Sequence, residues 1–220
     1  PILDKKMIKQ RTKREKSILE KANKLIDSPL PEQNRGESII RMPFIEGKKL
    51  SDSLEQLNWR ELCKQIGNNI AILHDNNIIH GDLTTSNMIL VDNSKNKSNS
   101  NLSNQKLSRD IIINKYKKDQ EAEQHSNVNK ENQSEPSSSE ANNKQKVIFI
   151  DFGLSFISNR IEDKAVDLHL IKQALEAKHF TIHKEAEKII LENYNSKDKS
   201  RVIEQLKKVE LRGRYRKNAV

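Results

Sequence analysis

The sequence predicts an α/β fold of the α+β kind, with several helices and a few short strands. Three short apolar runs predict buried strands at residues 78–79, 88–91 and 147–150. Apolar residues at three- and four-residue steps predict helices before, between and after these strands. Two polar motifs adjoin the strands, at 80–87 and 151–153, so we expect the functional groups there.

The composition limits how much of the chain can fold. At 220 residues we expect one domain or two, and a hydrophobic share of 34% beside a charged share of 32% predicts a small core or an unfolded part. The single cysteine, Cys63, excludes an internal disulfide and fits a reducing compartment, so we expect the cytoplasm, the nucleus or both. No run approaches membrane-spanning length, no signal peptide is visible, and we expect no membrane association. The chain begins with Pro1 rather than Met, which indicates a fragment or a processed form.

The net charge of +9 is concentrated at the two ends of the chain. Residues 1–24 hold nine basic and three acidic side chains, and residues 201–220 hold seven and two. Basic ends predict an acidic partner, either RNA phosphate or an acidic protein surface. The alternative is that these cations only solvate helix faces.

Residues 4–26 predict an amphipathic helix with Asp4 as its N-cap. The shared face of this helix is formed by Ile8, Thr12, Glu15, Leu19 and Ala22. Glu15 is the exception on an otherwise largely apolar stripe, because a buried carboxylate needs a cationic partner or it loses its charge. The alternative is a surface glutamate at the border of the stripe.

Two elements lead to the first polar motif. Residues 39–47 predict a strand that runs into a turn, with Pro43 at the strand's end. When this segment is considered alone, the alternative is an edge strand that binds no ligand. The strongest helical stripe follows and consists of Trp59, Leu62, Cys63, Ile66, Ile70 and Leu73. Because Cys63 and Trp59 lie on it, we expect a buried, unreactive thiol and a core indole.

The two motifs contain the side chains that phosphoryl transfer requires. Asp82 is followed five residues later by Asn87, and Asp151 stands at the end of a distant strand. One carboxylate can receive a hydroxyl proton, while an Asn and an Asp can hold Mg²⁺ on nucleotide phosphates. His80 is expected to pack beneath the loop against Phe152 rather than to carry a proton. Each three-residue motif alone is a weak signal, but the full set is specific.

Residues 92–146 interrupt the pattern with Asn, Ser, Lys, Gln and Glu. Such a composition cannot bury enough apolar surface to offset chain entropy, so we expect a disordered insertion. A short helix over 106–122 is the one local alternative. Because loop-closure entropy grows slowly with length, the insertion is compatible with pairing of the strands on either side.

Downstream of Gly153 the sequence predicts helices that begin near 162 and that span 183–194 and 197–211. Asp167 lies near the start of the first of them, where an acid is also favoured by the helix dipole. His179 and His183 have the i, i+4 spacing of metal ligands, but no third ligand accompanies them, so we expect no metal there. Residues 212–220 are expected to form an exposed basic tail with a flexible glycine.

The motif over 80–87 together with Ile-Asp-Phe-Gly over 150–153 resembles the protein kinases, with Gly81 where most kinases carry Arg. The chain also resembles the PRPK-type atypical kinases of the KEOPS (EKC) complex, a RIO-like family. This resemblance rests on the residues of the motif over 80–87, the start of the first helix and the Arg-Gly-Arg tail. The fold implied is protein-kinase-like, with a mainly helical C-lobe. Its N-lobe is truncated to residues 1–47, and its C-lobe comprises 48–91 and 147–211.

The resemblance implies ATP and Mg²⁺ as cofactors and assigns roles to individual residues. The implied catalytic residues are Asp82 as the base, Glu15 as the partner of a strand Lys, and Asp167 as the acid that braces the catalytic-loop backbone. The implied nucleotide ligands are Met42 at the back of the pocket, the Pro43 carbonyl and Ile45 N–H on adenine, and Asn87 and Asp151 on the metal. No glycine-rich loop or strand Lys precedes the first helix, so these residues alone are expected to bind ATP poorly.

The function implied is that of an atypical Ser/Thr protein kinase or ATPase. It would transfer a phosphoryl group from Mg-ATP to Ser or Thr of itself or a partner, or to water, in support of threonylcarbamoyladenosine formation in tRNA. The partners implied are the threonylcarbamoyl transferase subunit, other KEOPS subunits, and tRNA through the basic tail. Two alternatives remain at this point. One is a RIO-type kinase or ATPase in ribosome assembly, and the other is a non-catalytic scaffold that binds through its basic ends. The segment of residues 154–161 is too short for the peptide platform of a broad signalling kinase.

Overall fold

The computed structural model describes the backbone of residues 2–32, 39–92 and 145–217, and the side chains of 7–32, 39–92 and 145–212. The predicted disordered insertion lies outside the described residues except at its two edges, and so does the possible helix over 106–122. Within the described part, every helix is too short or too polar to cross a bilayer.

The helices follow the predicted order along the chain. They are α1 (Ile2–Leu25), α2 (Leu50–Ser53), α3 (Trp59–Asp75), α4 (Ile161–Lys178), α5 (His183–Glu192) and α6 (Lys199–Lys217). Two short 3₁₀ turns, Leu54–Gln56 and Thr85–Asn87, complete the helical structure of the described residues.

The expectation of a tail that begins at residue 212 is wrong, because α6 continues through Gly213 to Lys217. Arg212 donates from Nη1 to Oε1 of Glu162 at 2.6 Å, which fastens this end of α6 to the first turn of α4. A glycine inside a helix costs only about 1 kcal/mol relative to alanine, and good helix formers on either side can offset this.

The strands are short and belong to two small sheets. They are β1 (Lys48–Lys49), β2 (Ile78–Ile79), β3 (Met88–Asp92), β4 (Gln145–Phe149) and β5 (Phe156–Ile157). One sheet has the order β1-β3-β4, so the strands on either side of the predicted insertion are neighbours, and the other sheet pairs β2 with β5 antiparallel.

The predicted strand over 39–47 is wrong, since these residues have no regular structure and strand pairing begins only at Lys48. Phe44 is 93% exposed and Met42 is exposed as well, so these apolar side chains are not stabilised by burial. Pro43 also lacks the N–H that a ladder requires.

The core lies along α3, whose buried face contains Leu62, Ile66 and Ile70. Cys63 is fully buried, and burial raises the pKa of its thiol to about 12, as expected for an unreactive thiol. Trp59 is only partly buried against this core, with the Arg60 guanidinium 4.3 Å from its ring centre.

The predicted stripe of α1 is buried over only half its length. Leu19 and Ala22 are in the core, whereas Ile8 is 51% exposed. The end of α1 is joined to β4, because the Phe149 N–H donates to the Asp27 carbonyl at 3.1 Å and Lys146 lies 3.2 Å from the Asp27 carboxylate. This junction fixes α1, and with it Glu15, relative to the strand that precedes Asp151.

Candidate active site

The structure brings the two distant polar motifs together at the ends of β2, β3 and β4. The backbone N–H of Ile150, next to Asp151, donates to the carbonyl of Asn87 at 3.0 Å. The Asn87 N–H in turn donates to the Thr84 carbonyl at 3.0 Å, which closes the turn that follows Asp82. Asp82, Asn87 and Asp151 therefore lie on neighbouring strand ends although 69 residues separate the first from the last.

Asp82 and Asn87 are in direct contact. Asn87 donates from Nδ2 to the Asp82 carbonyl and to Oδ2 of its carboxylate, both at 2.9 Å. Because Nδ2 serves both bonds, Oδ1 of Asn87 is the amide atom that can ligate a cation. The contact also orients the Asp82 carboxylate, whose second oxygen can then accept a proton.

Asp151 is held in a backbone conformation that is uncommon for a residue with a side chain. Its φ is 60°, in the left-handed region, and its side chain is exposed at the end of β4. The Gly153 N–H donates to its Oδ1 at 3.3 Å. Strained dihedrals of this kind cluster at ligand sites, where surrounding structure determines them.

Glu15 of α1 is close to Asp151. Burial raises the pKa of the Glu15 carboxyl, the negative charge of Asp151 raises it further, and Arg11 opposes both. Both groups face the segment after β4, since a Cβ built on Gly153 would lie 3.1 Å from the Asp151 carboxylate and 3.8 Å from that of Glu15. Glu15 and Arg11 line a cleft of about 510 Å³ between α1 and residues 153–155. Two adjacent carboxylates favour a cation between or beside them.

Asp167 of α4 is buried and accepts three hydrogen bonds beneath the loop over residues 80–87, which corresponds to the catalytic loop in the kinase resemblance. The backbone N–H groups of His80 and Gly81 donate to it at 2.7 and 2.8 Å, and Nε2 of His74 lies 3.2 Å from Oδ2. Such an acceptor fixes the backbone immediately before Asp82. On the other side of His74, Nδ1 is 2.8 Å from the Tyr194 hydroxyl, so a buried chain joins α3, α4 and the segment after α5.

His74 and Tyr194 are the members of this network that the sequence reasoning missed. A signal for His74 was present, because a polar residue in the last turn of an otherwise apolar stripe needs a buried partner. Tyr194 carried no local signal, since its partner is 120 residues away.

His80 packs as predicted. Its ring centre is 4.7 Å from that of Phe152, and its Nε2 lies 3.2 Å from the Ile150 carbonyl. Burial lowers the pKa of His80, while the charges of Asp167, Asp82 and Asp151 and the bond to Ile150 oppose that shift. His80 therefore supports the loop by packing, and burial disfavours its charged form.

The remaining predicted site residues are more dispersed. Met42, Pro43 and Ile45 lie on the irregular segment before β1, and their contact with adenine stays a prediction. His179 and His183 are oriented towards different groups: His179 Nε2 is 3.1 Å from Thr85 Oγ1, and His183 Nδ1 is 2.7 Å from the Phe180 carbonyl. No group of three His, Cys, Asp or Glu side chains with metal-binding geometry occurs among the described residues.

A catalytic-loop aspartate bonded to an asparagine, beside a second aspartate on a neighbouring strand, is the arrangement with which kinase-like proteins transfer phosphoryl groups. Comparison with known families agrees: the RIO domain matches residues 2–98 of the chain. RIO proteins are atypical kinases and ATPases, so the chain has the fold of an ATP-dependent phosphotransferase that works with a divalent metal.

The comparisons with individual proteins narrow the class to one family. The chain is 32% identical to the KEOPS complex subunit Bud32 of Pyrococcus abyssi, over the whole chain and 80% of the relative. It is 33% identical to the EKC/KEOPS complex subunit bud32 of Dictyostelium discoideum, over 97% of the chain and 69% of the relative. It is also 30% identical to a probable bifunctional tRNA threonylcarbamoyladenosine biosynthesis protein of Methanobrevibacter smithii, over 97% of the chain and 30% of that longer protein. The chain belongs to the Bud32 family of KEOPS/EKC subunits.

Proposed function

We propose that this protein is a Mg-ATP-dependent phosphotransferase or ATPase that supports threonylcarbamoyladenosine formation in tRNA as part of a KEOPS complex. The observation that carries this proposal is the convergence of Asp82, Asn87 and Asp151 at neighbouring strand ends. The names of the relatives support the biological role, because two are KEOPS subunits and one is a tRNA threonylcarbamoyladenosine biosynthesis protein. A reducing compartment, the cytoplasm or the nucleus, remains the proposed location.

The residues fit a hard divalent cation such as Mg²⁺. Asn87 Oδ1 and the Asp151 carboxylate are oxygen donors, and Mg²⁺ in nucleotide sites is held by one or two protein oxygens together with phosphates and water. The left-handed backbone conformation of Asp151 and the hydrogen bond from the Gly153 N–H to its carboxylate hold this side chain at the end of β4. Burial raises the pKa of the Glu15 carboxyl and the nearby charge of Asp151 raises it further, so a cation bound beside the two carboxylates would be favoured.

The chain's own residues have separate tasks in the proposed reaction. Asp82, oriented by Asn87, accepts the proton of the attacking hydroxyl or water. Asn87 and Asp151 position the metal, which when bound neutralises charge on the transferred phosphate. Asp167 holds the loop backbone through the N–H groups of His80 and Gly81, so that Asp82 needs little reorganisation during the reaction.

Asparagine substitutions at Asp82 and Asp151 test the proposal in the full-length protein. We expect each to reduce ATP turnover about 100-fold or more, because a positioned base contributes about 10²–10⁴-fold and the metal ligand acts on every step. Turnover is measured as phosphate release at saturating Mg²⁺ and ATP. Glu176→Gln on the exposed face of α4 removes the same charge away from the site and serves as the control. Wild-type turnover in both Asp variants would refute the enzymatic function.

We further propose that the partners are the threonylcarbamoyl transferase subunit, other KEOPS subunits and tRNA, with the basic C-terminal end contributing to tRNA binding. Truncation of residues 213–220 removes Arg214, Arg216 and Lys217. The expected result is weaker tRNA binding and a slope of log K against log salt that is smaller by about 2 to 3, since each phosphate contact contributes about 0.7–0.9. Truncation of 218–220 alone removes no charged side chain and should change neither quantity. Equal salt slopes for the two truncations would contradict a role for these cations.

A further inference from the structure

His179 follows the last turn of α4 and is buried, with 2% of its surface exposed. Its backbone is fixed in the loop by bonds from its own N–H to the Leu175 carbonyl and from the Ile182 N–H to its carbonyl. The side chain points away from this loop to Thr85, whose Oγ1 lies 3.1 Å from Nε2 and which is fully buried. Because neither group can reach bulk water, each depends on the other for its hydrogen bond.

Thr85 opens the 3₁₀ turn that ends with Asn87. Asn87 can present Oδ1 to a cation only while its Nδ2 remains on Asp82, and both bonds to Asp82 are 2.9 Å long. A rotation of the turn about Thr85 would therefore move the metal-ligating oxygen and the orientation of the base together.

A second bond fastens the same loop nearby. Thr181 donates from Oγ1 to Oε1 of Glu55 at 2.8 Å, which ties the segment after α4 to the 3₁₀ turn Leu54–Gln56. The backbone bonds of His179 and the bond between Thr181 and Glu55 therefore both restrain the loop from which the His179 side chain contacts Thr85. By contrast His183, four residues later, bonds only locally to the Phe180 carbonyl, so the histidine pair does not form a metal site.

We propose that His179 is a positioning residue of the phosphotransferase site, which sets the metal ligand Asn87 by holding Thr85 at the start of their common turn. This inference rests on the proposed function. Groups that hold a metal ligand in place from behind typically alter metal affinity about 10–100-fold when they are removed. Since His179 acts through one intervening residue, we expect an effect near the lower end of that range.

The test is the affinity for the divalent cation in the full-length protein. Mn²⁺ binding is measured by electron paramagnetic resonance in the presence of a non-hydrolysable ATP analogue, together with the Mg²⁺ concentration that gives half-maximal ATP turnover. His179→Leu and Thr85→Val each remove the hydrogen bond and introduce an apolar side chain of similar size. Both are expected to weaken Mn²⁺ binding about tenfold and to raise the half-saturating Mg²⁺ concentration equally, with turnover largely restored at saturating Mg²⁺. The double variant should be no weaker than either single one, because both remove the same interaction.

His183→Leu is the matched control, since it removes an imidazole four residues away that does not reach Thr85. It is expected to leave both metal measurements unchanged. If wild-type protein binds no Mn²⁺–nucleotide, the proposed function and this inference fail together. If wild type binds it and folded His179→Leu and Thr85→Val bind equally well, only the positioning role is refuted, even where thermal stability falls. Should His179→Leu not fold, Thr85→Val decides alone.

Discussion

Replacement of Asp167 by alanine is expected to remove a large fraction of the folding stability and to abolish ATP turnover in the molecules that remain folded. The carboxylate accepts from the N–H groups of His80 and Gly81 and lies within hydrogen-bond distance of His74. Asp167, His80 and His74 are buried, whereas Gly81 is half-buried. Each of the two buried donors, the His80 N–H and His74 Nε2, costs about 1–3 kcal/mol when it is left without an acceptor, so the total loss is on the order of 2–6 kcal/mol. Whole domains are stable by only about 5–15 kcal/mol, which makes this a large fraction.

The measurement is urea denaturation of the full-length protein, combined with ATP turnover at a temperature where the variant is folded. Asp167→Asn should fall between wild type and alanine, because one oxygen can still accept a backbone N–H while the amide N–H₂ group faces donors. Glu176→Ala on the exposed face of the same helix controls for the loss of an acid from α4 and should change stability by less than about 0.5 kcal/mol. A loss below about 1 kcal/mol in Asp167→Ala would show that water or another group satisfies these donors.

The candidate site could be located from the sequence because it depends on residue types in local motifs. A metal–nucleotide site is predicted by the spacing of Asp82, Asn87 and Asp151 and by their position beside apolar runs. Their convergence follows once the strands that carry them are adjacent, as β3 and β4 are. The roles of Glu15 and Asp167 needed the family resemblance, since an acid in a helix is ambiguous without its partners.

The failures lie where burial is decided by distant parts of the chain. Residues 39–47 are rich in apolar side chains and predict a strand, but Phe44 remains exposed and no strand is formed. Ile8 follows the helical period of α1, yet the described residues leave it half-exposed. Helical spacing pairs His179 with His183, whereas its partner in the structure, Thr85, is 94 residues away. Periodicity identifies the face of an element but not what covers it.

Replacement of Gly81 by alanine is the second change with a large expected effect. Gly81 occupies the position after His80 with a φ of 80°, a region that residues with a Cβ rarely adopt. A Cβ built there would lie 2.5 Å from the Leu154 carbonyl oxygen, which is backbone and cannot rotate away. Dihedral strain of about 1–3 kcal/mol and overpacking of about 1–3 kcal/mol together predict a loss on the order of 2–6 kcal/mol.

The consequence for activity follows from what Leu154 is attached to. Leu154 lies between Asp151 and β5, and β5 is paired with β2 through Ile78 and Ile157 and through Ile79 and Phe156. Leu154 must move if residue 81 carries a methyl group. Because the pairing of β5 with β2 restrains the chain after Leu154, the displacement is expected to be passed to Asp151, which precedes it. Displacement of a catalytic group by about 1 Å can cost about 100-fold, so ATP turnover should fall at least tenfold even where the variant is folded.

Gly153→Ala supplies the comparison for stability, because the nearest atom to its added Cβ is 3.1 Å away and belongs to the Asp151 side chain rather than to backbone. Urea denaturation should therefore rank Gly81→Ala as clearly less stable than Gly153→Ala, and Gly81→Arg, which introduces the residue that most kinases carry here, as less stable still. The close approach of residues 81 and 154 brings the segment after Asp151 directly against the catalytic loop. If Gly81→Ala keeps wild-type stability and turnover, that approach is not what holds Asp151 in place, and its position must then depend on the Gly153 N–H and β4 alone.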